Sequence, residues 1–473
     1  MYAIYNSCYT YMFINREQEL RKLKEIERYA KKASQMTFIV GRRRVGKTYL
    51  INHFLKQKKS SLYFYVSRKK STLLLSEFNE ILKRKFPLIG KLATWDEFLE
   101  TLIEINKKRQ IIIIFDEFQN FLNIEPAVYS LFQKFWDTHH PKDRLNWIFV
   151  GSIQSLMNKI FTSQKEPLFK RANNRMVVLP FSPFAVKKTL SAFKRKVDIT
   201  GLLEFYSVFG GIPWYYQLIK SANLMKANFW EIVKKLFLEK DAILKNEAKE
   251  ILIEEFGSQH LTFFAILEAI AGGATRLNQI AARLNMPSTA IPQFLTELEN
   301  KYGIIAKKQP LFGKQKLNST YFVADQMTAF WFKFIYTNLS FIESGQKEYV
   351  SRQIKKEFDR FKGFVFEGIV ASYLQESGRY LEIGSYWQRG GNEIDILAFN
   401  RETDSVLFGE CKTNKNKINL ETAKMFLEKT KNAPKNQAKN KKLLFFTVGE
   451  VGQKIRREIL TQTGIEIINL DNV

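Results

Sequence analysis

The sequence predicts an α/β multidomain protein: a helix-covered parallel sheet first, helical segments in the middle and a second α/β region at the end. Three observations predict it. Over the first third, short apolar runs alternate with amphipathic helical stretches, the pattern of parallel strands buried on both faces. After Pro180 the pattern is helical through Glu250, and strands return toward the C-terminus. The length, 473 residues, fits about three domains at ~150 residues each, so more than one core is expected.

Each element follows from local composition. Thr37–Val40, Ser61–Val66, Ile111–Phe115 and Trp147–Val150 are apolar runs of strand length. Leu261–Tyr321 reads as two or three short helices and a strand pair, with a helical connector from Phe330 to Lys347. A helix at Phe364–Gln375 and strands at Glu393–Phe399, Ser405–Lys412 and Lys442–Val448 follow. Compositional bias is confined to the lysine- and asparagine-rich stretch Lys412–Lys442.

Lys plus Arg number 74 against 47 Asp plus Glu, a net charge of +27, with 45% hydrophobic and 14% aromatic residues. That apolar content excludes a disordered basic tail, because burial on this scale offsets chain entropy. The positive charge favours polyanions, nucleic acid before an anionic membrane. Cys8 and Cys411 are too few for a disulfide framework or a structural zinc site, which points to a reducing cytoplasm. No apolar window reaches bilayer length, and Met1–Ile14 has no basic segment before an apolar stretch. A cytoplasmic, membrane-free protein is expected. The four histidines show no metal-ligand spacing and receive no role.

Gly41-Arg42-Arg43-Arg44-Val45-Gly46-Lys47-Thr48 fits G-x-x-x-x-G-K-[ST], with the apolar strand before it and a helix opening at Tyr49 after it. Glycines let backbone N–H groups wrap phosphates at a helix N-terminus, Lys47 reaches the β/γ-phosphates, and the Thr48 hydroxyl ligates Mg²⁺. These eight residues and Tyr49 are the expected ATP contacts. The apolar strand Ile111–Phe115 ends in Asp116 and Glu117. Asp116 is expected to hold Mg²⁺ through water, and Glu117 to orient and deprotonate the attacking water. Arg171 is either an arginine finger or a solvated surface arginine.

Phe13-Ile14-Asn15-Arg16-Glu17-Gln18-Glu19-Leu20, the glycine loop, Phe115-Asp116-Glu117-Phe118-Gln119, Gly151-Ser152 and Gly210-Gly211-Ile212-Pro213-Trp214-Tyr215 stand in the order seen in the archaeal-type ATPases. The chain resembles that family, which sits with the AAA+ and STAND P-loop NTPases, over residues 13 to 345. The resemblance implies a P-loop NTPase αβα core at 1–185 and a helical lid at 186–255. It also implies that Phe13–Arg16 helps form the adenine pocket, that Ser152 takes the sensor 1 position, and that Pro213 lies near the base. The lid offers no clear sensor 2 arginine, so a ring and a STAND-like monomer-to-oligomer switch both remain open.

In residues 256–347, helices at Phe264–Ala271, Leu277–Leu284 and Thr289–Leu298 followed by Gly303-Ile304-Ile305 look like a winged helix. The third helix is poor in Lys and Arg and ends acidic, so either the module is structural or it meets DNA through its wing, Lys307–Lys316. Asp325–Phe334, with Phe330-Trp331-Phe332, matches the same family and is expected in the core.

The last region, 348–473, places Asp395 in the strand Glu393-Ile394-Asp395-Ile396-Leu397, and Glu410 and Lys412 on one face of the next strand, since side chains two apart share a face. A hairpin brings the three together, and Glu367 on the preceding helix completes the set. Asp395 and Glu410 suit Mg²⁺ as hard oxygen ligands, and Lys412 suits water activation and phosphorane charge. Glu393 is expected to point to the other side of its strand. The pattern resembles the PD-(D/E)XK restriction-endonuclease-like superfamily, whose domain often ends archaeal-type ATPases. The lysines after Lys412 form either a solvated helix face or a phosphate-backbone track. The whole reads as an ATP- and Mg²⁺-dependent ATPase coupled to a nuclease-like domain acting on DNA, with homo-oligomerisation open. The alternative is a nucleotide-switched scaffold that binds nucleic acid or protein without cutting.

Overall fold

The computed structural model describes residues 13–56, 58, 60–256, 260–312, 319–388 and 392–472. Cys8 and the wing tip at 313–316 lie outside the described residues. Two compact units are present: Met1–Pro180 with Ile212–Trp214, and Phe181–Gly211 with Tyr215–Val473.

In the first unit, β1 (Gln35–Val40), β2 (Ser61–Tyr65), β3 (Ile112–Asp116), β4 (Asn146–Gly151) and β5 (Asn174–Val177) form an all-parallel sheet in the order β2-β3-β4-β1-β5. Isoleucine, valine and phenylalanine fill β3 and β4, which are buried along their whole length. Aromatic rings knit one face: Phe115 lies 5.3 Å from Phe64, 5.0 Å from Phe132 and 5.7 Å from Phe149, centroid to centroid. The edge strand β5 was not expected from sequence. It reads Asn-Arg-Met-Val, and only Met176 is buried.

The second unit opens with helices from Pro183 to Phe256, then three short helices (His260–Ala271, Leu277–Leu284, Ile291–Thr296) and the antiparallel hairpin of β6 (Ile305–Lys308) and β7 (Thr320–Val323). Phe330, Trp331 and Phe332 are fully buried, as expected, and the Trp331 indole donates to Lys245 O at 2.7 Å. The 30-residue helix Lys347–Glu376 precedes a mixed sheet in the order β12-β11-β10-β9-β8. Its strands are β8 (Glu382–Trp387), β9 (Glu393–Asn400), β10 (Ser405–Lys412), β11 (Asn440–Thr447) and β12 (Glu466–Asn469).

The wing does not stand free. Leu311 N donates to Ser385 O at 2.8 Å, the Phe312 ring meets Phe399 edge-on at 5.8 Å, and both residues pack on the C-terminal core. Of the two readings of this module, these contacts favour the structural one for Leu311 and Phe312. Lys307 and Gln309 stay exposed, while Leu311 and Phe312 are taken up by β8 and β9.

Phe115→Ala removes the ring at the centre of the aromatic face and is expected to cost about 3–5 kcal/mol, read as a lower denaturant midpoint at unchanged slope. An unchanged midpoint would contradict this account of the core.

Candidate active sites

β1 runs into the glycine loop and the helix Lys47–Leu55 leaves it. The turn needs Gly46, whose φ of +95° caps that helix, and Gly41, where a Cβ would lie 2.4 Å from Val178 O. Lys47 is 6% exposed and donates to Gly41 O (2.7 Å) and Arg42 O (2.9 Å), so its ammonium is held inside the loop that is to receive phosphate. Arg16 braces the loop from behind. Its guanidinium donates to Val45 O (3.0 Å) and Leu179 O (2.8 Å) and pairs with Glu19 at 2.7 Å. Burial lowers its pKa, against the opposing charge of Glu19.

Phe13 stacks on His53 at 3.7 Å and lies 6.0 Å from Tyr49, which seats the Phe13–Arg16 segment on the helix leaving the loop. His53 received no role from sequence; here it is the platform for Phe13. Arg44 lies over the Trp214 ring at 3.6 Å, next to Pro213, the first residue of the helix Pro213–Ser221.

Asp116 ends β3 and is 1% exposed. Its Oδ2 accepts from Thr48 Oγ1 (2.8 Å) and Tyr63 OH (2.6 Å), and its Oδ1 from Glu117 N (2.9 Å). Burial raises its pKa, Tyr63 works against that, and the Glu117 charge adds to it. A hydroxyl and a carboxylate this close offer two hard oxygens to one Mg²⁺, a cation that keeps several waters and uses few protein ligands. Glu117 sits in the left-handed region at φ +56°. One of its oxygens accepts from Ser152 Oγ (2.6 Å) and from Gln119 Nε2, which itself lies 3.4 Å from Ser152 Oγ. Ser152 thus reaches the site through Glu117. Tyr63 and Gln119 were missed, although the Phe-Asp-Glu-Phe-Gln run contains Gln119. Arg171 is tied at the surface to Asp137 by a two-pronged ion pair (2.8 and 2.7 Å) and to Pro167 O at 2.7 Å.

The second cluster forms where β9 and β10 part. Their antiparallel ladder runs to Gly409 opposite Ile396, and just beyond it Cys411 N donates to Asp395 Oδ2 at 2.8 Å. Lys412 and Lys429 both reach Glu410 Oε1, at 2.8 and 3.4 Å, and Lys308 reaches Glu367 Oε2 at 3.0 Å. Glu410 is 6% exposed, and its other oxygen has no hydrogen-bond partner among the described residues. Burial, then the charges of Glu410 and Glu367, push the Asp395 carboxyl up to about 7. Burial also raises Glu367, which Lys308 opposes and Glu393 and Glu410 reinforce. Burial resists the charge on Lys412, but Glu410 and Asp395 outweigh it and its pKa rises.

Glu393 lies close enough to act on Glu367, so the expectation that it points away is corrected: it is two residues from Asp395 and shares its face. Among the described residues no group of three or more His, Cys, Asp or Glu is placed to hold a metal ion. The orphaned Glu410 oxygen, with Asp395 beside it, still fits a divalent cation that takes two carboxylates and water. Sequence reasoning missed Lys308, and placed Lys429 in the basic stretch without singling it out.

Residues 13–219 match the family described as an ATPase domain predominantly from Archaea, and residues 331–425 match one described as Archaea bacterial proteins of unknown function. An uncharacterised protein of Methanocaldococcus jannaschii is 30% identical over 410 residues, covering 85% of this chain and 87% of the relative. The Walker-type ATPase of Pyrococcus abyssi has a TM-score of 0.53 at 22% identity, over 68% of this chain and 96% of its own. The Aeropyrum pernix ORC2 protein, solved with ADPNP and ADP, gives 0.50 at 15% identity, over 72% and 97%. Both likenesses show the fold. No helix of the described residues is long and apolar enough to cross a membrane.

Asp395 titrates near 7 in the folded chain against about 3.9 unfolded, so between those values the native state binds the extra proton and stability falls as pH rises. Asp395→Asn removes that loss. Its denaturant midpoint relative to wild type is expected to rise on going from the acid end of that window to above neutrality, and a constant difference would refute the buried acid.

Proposed function

This chain belongs to the archaeal-type P-loop ATPases, and on that premise we propose that it binds and hydrolyses ATP at Lys47, Thr48, Asp116 and Glu117. ATP turnover there gates a phosphodiesterase at Glu367, Asp395, Glu410 and Lys412 acting on DNA. Residues 1–185 are the ATPase core, 186–255 a helical lid, 256–347 a winged-helix module with its connector, and 348–473 a nuclease-like domain.

For the first activity the supporting observation is the bond between Thr48 and Asp116, which joins the glycine loop to the end of β3. Thr48 and Asp116, and in the second site Asp395 and Glu410, are the residues that would hold Mg²⁺, which would supply neutralisation of charge on phosphoryl oxygens. Lys47 and the loop N–H groups fix the phosphates. Glu117 orients the water and takes its proton, with Ser152 and Gln119 setting the carboxylate's direction. Arg16 keeps the loop in shape, and the Phe13 segment and Pro213 border the base.

For the second activity the support is the meeting of three carboxylates and Lys412 at the parting of β9 and β10, with one buried carboxylate oxygen left over. Lys412, fixed by Glu410, positions the attacking water and faces charge developing on the phosphate.

Glu117→Ala is expected to keep ATP binding and lower turnover roughly 10²–10⁴-fold, whereas Lys47→Ala loses binding; unchanged turnover in Glu117→Ala removes the base assignment. Plasmid and linear DNA incubated with Mg²⁺, with and without ATP, should be cut by wild type and not by Asp395→Ala, with Lys47→Ala losing the ATP effect. Equal cutting by wild type and Asp395→Ala rejects the nuclease and favours a nucleotide-switched scaffold.

A further inference from the structure

Three carboxylates at the second site face three lysines, and the lysines divide unequally. Lys412 and Lys429 share one oxygen of Glu410, while Lys308 alone among the described residues is ion-paired to Glu367. Lys308 comes from neither the sheet nor the helix that carries the carboxylates. It is the last residue of β6, and the chain after it is pinned to the C-terminal sheet by Leu311 N on Ser385 O. The pin is reinforced by Lys435, whose ammonium lies 5.2 Å from the Phe312 ring and 4.8 Å from the Phe399 ring. The hairpin is thus fixed to the sheet that carries Asp395 and Glu410, and that packing holds the ammonium at Glu367.

Two features make this ion pair exchangeable. The Lys308 side chain is 38% exposed, so it has a path to solvent, and its ammonium, on a flexible stem, also lies 6.0 Å from the centre of the Trp387 ring, a contact it keeps if the carboxylate is lost. Glu367 meanwhile feels the charges of Glu393 and Glu410, and its own charge acts on Asp395. A divalent cation entering beside the unpartnered Glu410 oxygen makes the local charge too positive for all three lysines to stay. Lys308, the most exposed of the three at 38% against 31% for Lys429 and 25% for Lys412, is the one that yields.

Resting on the nuclease-like reading of this site, we propose that Lys308 is a further residue of it: its ammonium occupies Glu367 in the metal-free chain, and passes to a substrate phosphate when a divalent cation takes the carboxylates.

The test uses the full chain without nucleotide: Mn²⁺ titrated calorimetrically, and fluorescent duplex DNA titrated by anisotropy in Ca²⁺ at several salt concentrations. Loss of one competing ion pair in Lys308→Gln should tighten Mn²⁺ binding about fivefold, while Lys308→Arg, which keeps the charge, stays near wild type. Loss of one phosphate contact in Lys308→Gln should lower the slope of log affinity against log salt by about 1. Mn²⁺ binding that depends on Asp395 but is the same in Lys308→Gln and wild type overturns the proposal and leaves the nuclease-like reading standing. Tighter Mn²⁺ with an unaltered DNA salt slope overturns the transfer to phosphate. Mn²⁺ binding indifferent to Asp395→Ala overturns the reading itself, and the proposal with it.

Discussion

Burying a carboxylate is costly unless every lone pair has a use, and the first unit is arranged around one such group. Asp116 has almost no contact with solvent, yet both oxygens are engaged, by Thr48 and Tyr63 on one side and by the Glu117 amide on the other. Thr48 belongs to the glycine loop, Tyr63 to β2 and Asp116 to β3, so the group ties three segments into one geometry. The parallel pairing of β2 with β3 sets Tyr65 opposite Asp116 and places Tyr63 one turn of the pleat back. The aromatic packing of Phe115 beneath holds the strand end in place. On the proposed function, nucleotide chemistry sits where the cost of this burial is offset by hydrogen bonds already in position.

The second cluster solves the same problem differently. There the carboxylates are neutralised by ammonium groups, two on Glu410 and one on Glu367, while burial and then the charges of Glu410 and Glu367 push Asp395 up to about 7. Hydrogen bonds from neutral groups, as around Asp116, fix an ion in place. Lysines on flexible stems can be exchanged for another cation. The first site is therefore preformed, and the second is charge-balanced and open to exchange.

What the sequence could show followed from range. The glycine loop, the two carboxylates after an apolar strand, and the Glu-x-Lys pair on β10 are local patterns whose neighbours in sequence are neighbours in space. Lys308 and Glu367 are 59 residues apart, and Arg16 reaches carbonyls 29 and 163 residues away, so no window could pair them. Lys429 sat in a run of similar lysines, and only partial burial sets it apart from exposed Lys415, Lys417, Lys424 and Lys431. The strands β5, β8 and β12 lie at sheet edges and are only part-buried, so they lack the apolar runs that marked β3 and β4. The Glu393 error was different: alternation along β9 already placed it with Asp395.

The surplus of 27 positive charges then needs dividing by use. Lysines that already serve a carboxylate add little to an outward field, because the pair is nearly neutral at a distance greater than its own separation. Lys308, Lys412 and Lys429 are of that kind. The exposed lysines Lys415, Lys417 and Lys424, on the segment that leaves β10, carry part of the unbalanced charge. On the proposed function, a polyanion drawn to them would meet ammonium groups that are paired internally until a cation claims their carboxylates. Long-range attraction and local discrimination are thereby assigned to different lysines, which is why net charge alone, though large, says so little about where contact is made.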